Sequence, residues 1–133
     1  MANETAVGSA LPANVRALLI QEMLAVLDAS KKIFEALVRG QDEVVAKNAQ
    51  AIHDSFIMAQ QMTDADMQAL LAAAPKAFLE RDEAFHELSA HLADAARKSD
   101  KALQRKLYHE MIDACVACHA AHATDRFPEL RQR

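Results

Sequence analysis

Tryptophan is absent from this 133-residue chain, tyrosine occurs once, and aromatic residues together make up 5 %. There are only two glycines and three prolines. So little turn chemistry leaves room for few chain reversals, which argues for a small number of long elements. Basic residues are in the minority, 15 against 19 acidic ones, for a formal net charge of −4. Nucleic-acid phosphates need clustered Lys and Arg, and no basic stripe is present, so nucleic-acid binding is set aside. No apolar run reaches the roughly 18 residues of a membrane-spanning helix. The two cysteines fall within one five-residue stretch, Cys115-Val116-Ala117-Cys118-His119, which is no disulfide framework. Residues 1–12 lack the charged start and apolar stretch of a secretory signal. Either the protein is cytosolic, or this is a mature form whose signal has been removed.

What the chain does contain is helix-forming: Ala, Leu, Met, Glu, Gln and Lys dominate, and 52 % of residues are hydrophobic. The length fits one domain, read here as a flexible leader over 1–12 followed by a single domain over 13–133. Val15, Leu19, Met23, Val26, Ile33 and Leu37 recur at helical spacing over 13–39. A second stripe, Ile20, Leu24, Leu27, Phe34 and Val38, is expected to widen the buried face. Gly40 suits the left-handed stop that follows a last turn. A second helix is expected over 42–62, from Asp42 through Val44, Val45, Ala49, Ile52, Phe56 and Met58. A short helical turn over 67–73 follows the break at Thr63 to Asp66. The third helix is placed over 75–98 with Phe78, Leu79, Phe85, Leu88 and Leu92. Ser99-Asp100 caps the fourth, which carries Leu103, Leu107, Tyr108, Met111, Ile112 and both cysteines. Four such helices with brief connections predict an all-α antiparallel four-helix bundle, with the cysteine motif near the C-terminal end of the last helix.

On a helix, Cys115, Cys118 and His119 are three and four residues apart and share one face. Two thiols so placed can add to the two vinyl groups on one edge of a haem, and the adjacent imidazole then reaches the iron: the pattern is a c-type haem attachment signal. Other readings exist. Cys115, Cys118, His119 and His122 are four zinc-type ligands, although tetrahedral closure from one short stretch is awkward. A redox dithiol normally opens a helix after a strand, and no strand is expected here. Two unrelated buried cysteines are the plainest alternative.

With this motif at the end of a fourth helix, the chain resembles the class II c-type cytochromes, which include cytochrome c′ and its low-spin methionine-ligated relatives. The resemblance spans 13–122 and is strongest over 85–119. Phe85 and Tyr108 fall where that family places aromatic residues near the haem. There are departures: Trp is missing, Ala123 stands where the family usually has an Arg, His122 replaces a common aromatic, and the tail through Phe127-Pro128 is long. The resemblance implies one covalent haem c, with His119 as an axial ligand.

The opposite axial position faces the first helix in that family. Met23 there implies a low-spin electron carrier, since Met/His ligation is an electron-transfer arrangement. Family spacing counted back from Gly40 reaches Leu24 instead, and Leu24 or Ile20 over the iron would imply a five-coordinate protein that binds nitric oxide or carbon monoxide. Core packing is the ordinary use of methionine, and Met58, Met62, Met67 and Met111 are read that way. His53, His86, His91 and His109 are expected at the surface or hydrogen-bonded with ordinary acidities, and His122 as a neighbour of His119. Arg16 resembles the basic residue placed near the haem propionates; its plain reading is a solvated surface residue. The expected function is that of a soluble electron-transfer protein with a redox partner protein. The alternatives are a gas binder with a small gas ligand, and a zinc-stapled structural bundle. Paired carboxylates, a nucleophile arrangement and a phosphate loop do not stand out, so catalysis is not expected. Haem attachment of this type implies a periplasmic home, and the apolar face of 13–39 permits a homodimer.

Overall fold

A computed structural model describes residues 6–55 and 62–131. The described residues are all-helical. Six helices follow one another: α1 (Val7–Ala10), α2 (Ala13–Arg39), α3 (Asp42–Asp54), α4 (Asp64–Ala73), α5 (Lys76–Arg97) and α6 (Lys101–His122), with a 3-10 turn at Pro128–Leu130.

Local chemistry sets the ends. Pro12 and Pro75 stand immediately before α2 and α5, where the lack of an amide donor costs nothing. Gly40 takes φ 72, and the amides of Gly40 and Gln41 reach back to the carbonyls of Leu37 and Ala36 at 3.3 and 2.9 Å. That is the paired-bond stop a left-handed glycine permits. The same stop recurs after α5, with Ser99 at φ 54 and the amides of Ser99 and Asp100 bonded to Ala96 and Ala95. Thr63 and Asp66 form a reciprocal capping box that starts α4. Asp100 caps α6 by accepting from the Leu103 amide.

The main core joins four helices. Val26, Ala29, Ile33 and Ala36 of α2 meet Val45, Ala49 and Ile52 of α3, Leu92, Ala93 and Ala96 of α5, and Leu107 and Met111 of α6. α3 packs closely against both α2 and α5, and α5 against α6. The alanines on these faces let the helix axes approach. A polar link is added between α2 and α6: the Tyr108 hydroxyl donates to the Ser30 carbonyl at 3.0 Å and lies 3.1 Å from the Ser30 hydroxyl. A second, smaller core gathers Val7 and Leu11 with Val15, Leu70 and Ala74, against Phe78 and Leu79.

Three expectations are corrected. Residues 7–11 are not a loose leader, because Val7 and Leu11 are buried in that second core. The turn expected over 67–73 starts three residues earlier, where Thr63 supplies the cap. The second stripe of α2 is not buried: Leu24, Leu27, Phe34 and Val38 are all exposed, and the helix buries the Val15, Glu22, Val26, Ala29, Ile33 stripe instead. Helix α3 is described to Asp54; Phe56 and Met58 lie outside the described residues.

Candidate functional site

The last two turns of α6 carry Cys115, Cys118 and His119. Both thiols are free and half-buried. Burial raises the pKa of each, and at Cys118 the Arg81 charge opposes that rise while Asp82 adds to it. Raised in this way, both are neutral thiols at ordinary pH, and the thiolate form is disfavoured. Arg81, Ala84, Phe85 and Leu88 of α5 line a cleft of about 140 Å³ with Ala114 and Ala117 of α6, the residues that immediately precede the two cysteines. Small residues at 114 and 117 leave the α6 face flat beside the cysteines. The cleft falls below the roughly 300–1,000 Å³ typical of preformed ligand sites, so it can hold only an edge of a large planar group.

His119 is half-buried, and burial lowers its pKa, which favours the neutral ring that a metal needs. Its ring stacks on Phe127, with centroids 4.6 Å apart and planes 19° from parallel. The chain folds back to make this contact: the Phe127 amide donates to the Ala123 carbonyl at 2.9 Å, and the 3-10 turn follows.

His122, one turn beyond Cys118 and His119, packs toward α5. It is buried, its Nε2 accepts from Arg81 at 2.8 Å, and its ring meets the edge of Phe78. The Arg81 bond fixes Nε2 as an acceptor, so His122 serves the α5–α6 contact. The alternative zinc quartet of Cys115, Cys118, His119 and His122 is not among the converging ligand groups of the described residues. Among the described residues, the ligand atoms that converge belong to Glu22, Asp82 and His86 instead.

The other predicted site residues scatter more widely. Phe85 lines the cleft. Tyr108 lies two turns earlier on α6 and is occupied with Ser30. Met23 is half-buried and packs on the main core, whereas Leu24 is 63 % exposed. Of these two neighbours, the methionine is the one that faces inward. Arg16 is tied to α1: its Nε donates to the Gly8 carbonyl at 2.7 Å and its Nη2 to the Leu11 carbonyl at 2.9 Å. Gly8, Ser9, Arg16, Asp125 and Arg126 outline a second recess of about 230 Å³.

Sequence reasoning passed over Arg81, Phe127 and the Glu22–Asp82–His86 group. His86 is hydrogen-bonded, as expected, to the Ile52 carbonyl, but its acidity is not ordinary. It is 3 % exposed, and its pKa is pushed up to about 9: burial pulls it down, but the Asp82 and Glu22 carboxylates outweigh that. The available signal was Glu22 itself, a carboxylate seven residues from both Val15 and Ala29 on a stripe that is otherwise apolar.

Compared with family models, curated proteins and solved structures, the chain finds no match. The fold and site define an all-helical protein with a Cys-x-x-Cys-His face at the end of its last long helix. No helix among the described residues is long and apolar enough to cross a membrane.

Proposed function

We propose that the chain is a monohaem c-type cytochrome of the class II kind, and that it serves as a soluble electron carrier. The observation that carries this reading is the single face of α6 on which two free, sheltered thiols and a neutral-leaning imidazole stand beside an apolar cleft. The donor set suits haem c: two sulfurs for two vinyl groups, and one nitrogen for iron. When bound, haem supplies a one-electron iron couple, and the protein supplies position and surroundings.

In this reading, Cys115 and Cys118 tether one edge of the ring, and His119 holds the iron from the α6 side. Phe127 fixes the plane of the imidazole. Phe85 and Leu88 give the cleft an apolar wall that keeps water away. Met23, facing inward from α2, offers a thioether as the second axial ligand. Met23 packs inward on the main core while Leu24 lies in solvent, so of the two neighbours Met23 is the one that would be available to the iron. The proposal takes the long helices α2, α5 and α6, together with α3, as an antiparallel four-helix bundle. The short connections at Gly40 and at Ser99-Asp100 support that arrangement. Attachment of this type is completed outside the bacterial cytoplasm, so a periplasmic location belongs to the proposal, as does a redox partner protein.

The test is to produce the chain together with a c-type maturation system and record absorption in both oxidation states. A sharp low-spin reduced spectrum is expected, with haem that stays on the chain through denaturing electrophoresis and little response to carbon monoxide. Replacing both Cys115 and Cys118 with Ala should abolish retained haem. A colourless product with both thiols open to alkylation defeats the proposal.

A further inference from the structure

Glu22, Asp82 and His86 share no residue with the Cys115, Cys118 and His119 set, although the Asp82 charge is felt at Cys118, and the cytochrome reading leaves them without a role. Glu22 and His86 are each 3 % exposed, and Asp82 sits one turn before His86 on α5. The Nδ1 of His86 bonds the Ile52 carbonyl of α3 at 3.0 Å. A carbonyl only accepts, so Nδ1 carries the proton, and Nε2 is the atom that faces the two carboxylates. Hydrogen-bonding one ring nitrogen to a carbonyl in this way fixes the tautomer and orientation of metal-bound histidines.

Two quantities then decide what Nε2 faces. It lies 3.5 Å from Glu22 Oε1 and 3.3 Å from Asp82 Oδ1. Charge-assisted N–H···O bonds are shorter, about 2.7–2.9 Å. Ligand atoms held about 2.0–2.2 Å from a tetrahedral ion are about 3.3–3.6 Å from one another, and all three ligand atoms here fall within 4.8 Å. The second quantity is charge. Glu22 is almost wholly buried, where a carboxylate is costly without a close counter-charge, while Asp82 is about one-third exposed. A divalent cation beside a neutral imidazole balances the group to zero.

We propose that Glu22, Asp82 and His86 bind one divalent transition-metal ion of the zinc class, linking α2 to α5 at a site distinct from Cys115, Cys118 and His119. One imidazole nitrogen and two carboxylate oxygens suit zinc, with water as the fourth ligand. The site does not depend on the haem reading.

Equilibrium dialysis of the matured protein against zinc, with elemental analysis and haem content measured on the same sample, tests it. One equivalent of zinc per chain is expected. Asp82→Asn and Glu22→Gln should each weaken binding by about 100-fold, while Cys115→Ala/Cys118→Ala should leave it intact. X-ray absorption of the zinc-loaded wild type should show only nitrogen and oxygen neighbours; this readout holds even where a variant fails to fold. Failure of the wild type to take up stoichiometric zinc overturns the proposal, as does sulfur in the zinc shell. A zinc-free protein with haem would leave the cytochrome reading standing, and a zinc-bound one without haem would do the reverse.

Discussion

Met23 and His86 are the two side chains whose surroundings make the sharpest predictions. In haem-loaded protein, Met23→Ala should convert the low-spin spectrum to a high-spin one that binds carbon monoxide readily. A variant whose spectrum keeps the wild-type bands would remove Met23 as a ligand. For His86, the folded pKa of about 9 lies above the ordinary 6.5. A raised folded value means that the charged ring stabilises the fold fully below 6.5, and that this contribution fades as pH rises through 9. Metal-free protein should therefore melt several degrees lower at pH 9 than at pH 6. In Asp82→Asn that slope should flatten, because one of the two carboxylates favouring the charged form is gone. Thermal unfolding followed by circular dichroism across this range checks both curves.

At the scale of the helices, Asp42 at the start of α3 gathers the Lys101 ammonium and the buried Gln104 amide of α6, the latter at 2.9 Å. Hydrogen bonds from both, Lys101 first, hold its carboxyl down at about 2. Asp42→Ala leaves the Gln104 donor buried without its acceptor, which costs about 1–3 kcal/mol. Urea unfolding should show that loss, and Gln104→Leu in the same background should recover part of it. Much of this element-level organisation was legible in the sequence. Proline, glycine, Thr63 and Asp100 mark helix ends by their own backbone chemistry, and the Cys-x-x-Cys-His spacing names its helix face without any tertiary information. The buried face of α2 was not legible, because two apolar stripes compete there and periodicity alone does not say which meets α3. Glu22 lies on the stripe that won, and its burial depends on His86, more than sixty residues away. Arg81 and Phe127 were missed for the same reason: each acts through a histidine brought to it by the fold.

For the whole molecule, the exposed stripe of α2 is the feature a monomer leaves unanswered. Ile20, Leu24, Leu27, Lys31, Phe34 and Val38 are spaced four and three apart in alternation, the spacing of a two-helix seam. Leu24, Leu27, Phe34 and Val38 present apolar surface to solvent, a face that permits a homodimer. For a protein that pairs through this face, Phe34→Glu should shift it to monomer in sedimentation velocity. Because the position is exposed, monomer stability should stay within about 0.5 kcal/mol of wild type. A wild type that sediments as a monomer at high concentration would remove the seam from the account.

The parallel rings of His119 and Phe127 have a magnetic consequence. A phenyl face lying over an imidazole shields the protons beneath it, so in diamagnetic protein the His119 carbon-bound protons should resonate upfield of those of His91 and His109, which lie in solvent. Phe127→Leu would return those lines to ordinary frequencies, giving a direct reading of whether the tail is seated on the ring.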